Sequence, residues 1–153
     1  MPDHCGTHFV AREKSILPVH QLLIYPVTDL VDGQSSASAQ ENAQAKPLNQ
    51  AMLNWFYDQY VLSDTLRTDF KISPLYAESH AGLPPATIIL AEIDPLRNDG
   101  EKHAAKLQTA GVPVQLKMFE GVTHEFFGLA GLLSEATEAV KLAAQALKVS
   151  FGD

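Results

Sequence analysis

Apolar and polar positions divide the chain into alternating extended and helical stretches. Gln21-Leu22-Leu23-Ile24-Tyr25-Pro26-Val27 is a compact apolar run with a proline near its end, and it predicts a strand covered on both faces of a parallel sheet. From Thr28 to about Lys46 the chain is polar, with Asp32-Gly33 and a stretch rich in Ser, Ala and Gln, which predicts a long loop. Met52, Trp55, Phe56 and Tyr60 then recur at i, i+3, i+4 and i+8, one face of a helix. Ser73-Pro74-Leu75 and Leu83-Pro84-Pro85 bracket another loop, and the run from Ala86 to Ala91 predicts a second buried strand. Asn98, with Glu101 three residues on, has the spacing of a capping box; the helix it opens runs to Ala110 and closes on Gly111. Val114, Leu116 and Met118 alternate with polar neighbours, a third strand with one more exposed side. Leu133, Ala136, Val140, Ala143 and Leu147 mark a final amphipathic helix with Ser134 as its cap.

Strand, helical insert, strand, helix, strand and helix form a βαβ series. It predicts an α/β fold with a small sheet of about three parallel strands, right-handed crossovers and flanking helices. With no internal repeat or linker, residues 1–153 are expected to form one domain, opening on an irregular segment at 1–19 that allows a short helix near 8–14. A hydrophobic fraction of 46% makes the chain globular, and a net charge of −7 argues against a nucleic-acid surface. A single cysteine, Cys5, excludes an intrachain disulfide and suits a reducing compartment. No apolar stretch approaches the length of a bilayer span, and the N-terminus lacks the layout of a signal peptide, so a cytoplasmic protein with no membrane partner is expected.

The candidate chemistry sits just past the second and third strands. Asp94-Pro95-Leu96-Arg97-Asn98-Asp99-Gly100 follows one, and Gly121-Val122-Thr123-His124-Glu125-Phe126-Phe127 follows the other. From spacing alone, Asp94 and His124 fit two descriptions equally well: an orienting carboxylate with its general base, or a helix-capping Asp and a loop His. Glu125 is a loop carboxylate whose charge would act on the neighbouring histidine. Cys5, in Asp3-His4-Cys5-Gly6-Thr7, is a faint echo of a nucleophile turn without a strand before it. Gly33-Gln34-Ser35-Ser36-Ala37 lies in polar sequence, so its serines are expected to be solvated. His4, His8, His20, His80, His103 and His124 show no HExxH-like pairing, so surface histidines and no metal site are expected. Trp55, Phe56 and Tyr60 could line an acyl pocket, although a helical aromatic stripe is more often core.

Six segments together resemble the C-terminal half of the hormone-sensitive-lipase-like bacterial esterases: QLLIYPVTD at 21–29, SPL at 73–75, LPPA at 83–86, DPLRNDG at 94–100, AGVPV at 110–114 and GVTHEFF at 121–127. The likeness runs from about residue 11 to about residue 150. It implies that the chain carries the last three strands of a larger α/β-hydrolase sheet, with His124 as the catalytic base, Asp94 as its orienter, a short-chain ester as substrate and no cofactor. The family's Gly-Asp-Ser-Ala-Gly-Gly elbow would fall just before Met1, and no Gly-x-Ser-x-Gly string occurs in the 153 residues. The chain is therefore expected to keep the triad Asp and His, to lack the nucleophile and the oxyanion hole, and to be inactive alone. A strand near 21–27 without its neighbour exposes an apolar edge, so a homo-oligomer joined through that strand is expected. The rival reading is a non-catalytic oligomerisation or binding module that kept the fold.

Overall fold

The computed structural model describes residues 17–152 except position 62. Among these, strands β1 (Gln21–Ile24), β2 (Ala86–Ile93) and β3 (Val114–Thr123) form a parallel sheet in the order β1-β2-β3. This is the α/β arrangement that the alternation predicts. β2 is buried from Ala86 to Ala91 because it pairs on both sides, with Leu23 opposite Ile88 and Ile88 opposite Leu116. Alternation sends Ile88 and Leu90 to one face, where Ala104 and Leu107 of helix α3 (Arg97–Thr109) cover them. Ile89 and Ala91 face the other way, toward Ala136, Ala139 and Ala143 of helix α4 (Ser134–Phe151) and the rings of Phe119 and Phe126. A third cluster joins Leu30, Leu48 and Leu96 to Leu53 and Tyr57 of helix α2 (Gln50–Tyr60).

α3 lies so close to β2 that a Cβ on Gly100 would meet Leu90 Cδ2 at 2.3 Å. Leu90 is wholly buried and has no room to swing. Gly100→Ala is expected to destabilise the chain: overpacking costs about 1–3 kcal/mol, more than the ~1 kcal/mol that alanine gains within a helix. A lower denaturation midpoint at unchanged slope is the expected observation.

Several expectations need correction. β1 ends at Ile24, because Tyr25 takes a left-handed backbone (φ +36°) and Pro26 has no N–H to give the ladder. Leu22 and Ile24 are half-buried, so β1 is not covered on both faces. The polar stretch at 28–46 is not a plain loop: it holds a 3-10 turn at Gly33–Ser35 and helix α1 (Ala37–Glu41), whose cap is Ser36 Oγ accepting from Ala39 N–H. Of the two serines expected to be solvated, Ser35 is exposed but Ser36 is buried. α2 forms as predicted but buries a neighbouring face: Leu53 and Tyr57 turn inward, whereas Met52, Trp55, Phe56 and Tyr60 are all exposed. Trp55 and Phe56 pack edge-on against each other, with ring centroids 5.1 Å apart.

Asn98 is not a cap but the second residue of α3; Leu96 precedes the helix, and Asn98 Nδ2 donates to Glu101 across 2.7 Å. Ser134 is the first residue of α4, with Leu133 at the cap position. The other end of α3 matches: Ala110 closes it and Gly111 follows at φ +78°. His80 and His103 are buried, with rings 5.5 Å apart, and are not surface histidines. Cys5, His4, His8 and the helix near 8–14 lie outside the described residues. Among those described, no helix is long and apolar enough to cross a membrane.

Candidate active site

Asp94 follows directly on β2 and His124 directly on β3, so both emerge at the carboxyl ends of adjacent parallel strands, the side where open α/β sheets bind ligands. A bulge sets their final approach. Ala91 pairs with Phe119 but Ile93 pairs with Thr123, so four steps of β3 match two of β2. Gly121 supplies the left-handed residue this requires (φ +71°), and its N–H donates to the Glu92 carboxylate across 2.7 Å.

The result is a hydrogen bond of 2.8 Å between His124 Nδ1 and Asp94 Oδ2. Asp94 is wholly buried, and its other oxygen accepts the Leu96 N–H at 2.8 Å. A carboxylate only accepts, so the imidazole proton sits on Nδ1 and Nε2 carries the free lone pair. Glu125 Oε1 lies 3.6 Å from that Nε2, beyond hydrogen-bond length but close enough to pair with an imidazolium. The dyad can thus accept a proton at Nε2 and steady the resulting charge at Nδ1.

The surroundings fix the ring. Tyr25 packs on the imidazole with ring centroids 4.4 Å apart, and Phe126 backs Tyr25 at 6.3 Å. Burial, reinforced by the charges of Glu125 and Asp94, pushes the Tyr25 phenol up to about 12, so this wall stays neutral. Among the described residues, the non-glycine positions in left-handed backbone are Tyr25 (φ +36°), which packs on the His124 ring, and Glu125 (φ +70°), which follows His124 in sequence. Such backbone costs about 1–3 kcal/mol per residue and clusters at functional sites.

A second carboxylate ties this end of the sheet together. Asp99 Oδ2 accepts the N–H groups of Thr28 and Asp29, both at 3.0 Å, and Thr28 Oγ1 donates to the Asp99 carbonyl at 2.9 Å. Lys102 Nζ lies 3.0 Å from Asp29 Oδ2. Burial pushes the Asp99 carboxyl up to about 7 against the downward pull of those N–H groups and of Lys102, with Asp29 adding a smaller upward push. A pKa raised on folding gives stability that is full below the unfolded value of 3.8 and lost as pH climbs to about 7. The difference in melting temperature between the native chain and Asp99→Asn is therefore expected to turn against the native chain as pH rises from about 4 to about 7, then to level off.

The structure thus joins Asp94 to His124 and sets Glu125 beside them. Trp55, Phe56 and Tyr60 stand exposed on α2, and the ring against His124 is Tyr25. Tyr25 was missed by pattern reading; its place just before Pro26, at the carboxyl end of a predicted parallel strand, was the available signal. Among the described residues, no three His, Cys, Asp or Glu side chains gather as a metal site would require.

Comparison with known proteins identifies the fold and the family. A family model described as the alpha/beta hydrolase fold matches residues 4–128. Ethyl acetate hydrolase of Pseudomonas putida is 36% identical over 143 residues, 94% of this chain and 44% of that protein. Carboxylic ester hydrolase LipN of Mycobacterium tuberculosis is 41% identical over 113 residues, 73% of this chain and 30% of that protein. The crystal structure of a Ser161Ala mutant of an alpha/beta hydrolase enzyme from the metagenome of Lake Arreo, Spain, superposes with a TM-score of 0.89 at 36% identity, covering 97% of this chain and 47% of its own. The chain spans less than half the length of these relatives. It belongs to the alpha/beta hydrolase fold family, in the hormone-sensitive-lipase-like esterase group that its motifs resemble.

Proposed function

We propose that this chain supplies the acid–base half of a carboxylic-ester hydrolase. The observation that carries the reading is the 2.8 Å bond from His124 Nδ1 to the buried Asp94 at neighbouring strand ends. A serine hydroxyl, presented by an elbow that these 153 residues do not contain, gives its proton to His124 Nε2 as its oxygen attacks the ester carbonyl. Collapse breaks the bond to the alcohol, which leaves with that proton, and water then hydrolyses the acyl-serine by the same route. Asp94 holds the tautomer throughout, and no cofactor is needed. The relative named as an ethyl acetate hydrolase supports short acyl esters as substrates. The lone cysteine supports a reducing, cytoplasmic setting.

Alone, the chain is expected to hydrolyse short p-nitrophenyl esters at near-background rates, since nucleophile and oxyanion donors act as a unit with the base. Robust turnover that survives Cys5→Ala and vanishes with His124→Ala would overturn the reading.

A non-catalytic association module is the second reading. Among the described residues β1 pairs only with β2, and Leu22 and Ile24 remain half-buried beside its open edge. An open edge of this kind templates pairing with a further chain. A dimer or larger species in sedimentation at micromolar concentration is expected, and a well-folded monomer would contradict it.

A further inference from the structure

We propose that Ser38 and Asn42, both in the polar stretch around the five-residue helix α1, are positioning residues that hold the main chain around Asp94. The proposal rests on the reading of Asp94 and His124 as an acid–base pair. Ser38 is wholly buried although it lies in a polar stretch of sequence. Its Oγ donates to the Pro95 carbonyl at 2.8 Å and accepts the Asn98 N–H at 3.0 Å. Its own N–H donates to Asn98 Oδ1 at 2.8 Å. Asn42 Nδ2 donates to the Asp94 carbonyl at 3.3 Å and back to the Ser38 carbonyl at 3.0 Å. Glu41 pairs with Arg97, whose Nη1 also donates to the Glu92 carbonyl at 2.8 Å. α1 and the residue that closes it thus grip the carbonyls of Asp94 and Pro95 from more than fifty positions earlier in the chain.

The grip has a physical purpose. Asp94 sits between the end of β2 and the start of α3, where one main-chain bond, from the Arg97 N–H to the Asp94 carbonyl at 3.2 Å, ties it to the helix. Pro95 has no N–H and so cannot anchor the turn by donating. The direction of the Asp94 carboxylate follows from the backbone at 94–96, and a hydrogen-bonded dyad tolerates only about 0.5 Å of displacement. Ser38 satisfies the Pro95 carbonyl, and Asn42 gives the Asp94 carbonyl a second donor beside the Arg97 N–H. Ser36 caps α1 and Gln50 Nε2 donates to the Gln34 carbonyl, so the clasp is itself anchored.

The test uses the full chain and the far-downfield proton resonance of His124 Nδ1–H bonded to Asp94, assigned by its loss in Asp94→Asn. Ser38→Ala and Asn42→Ala are expected to keep the native circular dichroism while that proton exchanges with solvent at least about tenfold faster, or its signal is lost. Asn42 is part-exposed and its truncation leaves no cavity, so Asn42→Ala decides the matter should Ser38→Ala fail to fold. Thr137→Val removes a hydroxyl–carbonyl bond within the α4 region and is expected to leave the resonance unchanged, which separates positioning from general loosening. Folded Ser38→Ala and Asn42→Ala proteins with an unaltered resonance would overturn the clasp alone. A resonance that persists in Asp94→Asn would overturn the dyad reading on which the clasp rests.

Discussion

Joining this chain to a segment that carries a serine elbow and its oxyanion donors is expected to raise hydrolysis of short acyl esters at least about a thousandfold, and His124→Ala is expected to abolish the gain. A single oxyanion donor contributes about 10²–10³ to the rate, and a triad works only when complete. Asp94→Asn is expected to lower kcat by about 10⁴ with little change in KM. The reason is geometric: Asp94 Oδ2 accepts from His124 Nδ1 at 2.8 Å, and an amide NH2 turned to that nitrogen would favour the proton on Nε2, where the serine hydroxyl must be met. The double variant is expected to be no worse than His124→Ala, because the carboxylate acts only through the imidazole. Steady-state rates of the joined polypeptide and its variants check each statement.

Phe126→Ala is expected to be the most damaging truncation near the site. Phe126 is 1% exposed and packs on Phe119 with ring centroids 5.4 Å apart, under Tyr25. The helix behind it contributes Ala136, Ala139 and Ala143, side chains too short to close on the space left. A buried Phe→Ala change costs about 3–5 kcal/mol, which for a chain of this size is a fall of about 10 °C in melting temperature. Leu132→Ala, at a side chain 83% exposed, is expected to change stability by less than about 0.5 kcal/mol and serves as the control.

The sheet was legible because it depends on local pattern, whereas the pairing of Asp94 with His124 came from the resemblance of their motifs, spacing alone leaving two descriptions open. β2 is a buried apolar run, Val114, Leu116 and Met118 alternate with polar neighbours along β3, and Asp94 and His124 sit where those strands stop. What was hidden depends on tertiary partners. α1 has no apolar period, and it is helical because Ser38 and Asn42 bond across to Asp94, Pro95 and Asn98. α2 is apolar on more than one side, so its period located the helix but Met52, Trp55, Phe56 and Tyr60 misassigned the buried face. Asn98 carries a capping signature, yet its side-chain oxygen is taken by Ser38 N–H. His80 and His103 are buried against each other, a contact that no spacing rule links across twenty-three positions. Tyr25 shows the same limit: its contact with His124 spans ninety-nine positions.

Covalent labelling with a phosphonate ester tests the central claim most directly, because such a probe reacts fastest with a serine whose proton is being taken. Mass spectrometry is expected to find no adduct on this chain alone. When a serine-elbow segment is joined to it, one adduct per molecule is expected on that added serine, dependent on His124 and absent in His124→Ala. A stoichiometric adduct on one of this chain's own residues, or an adduct on the added serine that persists in His124→Ala, would contradict it.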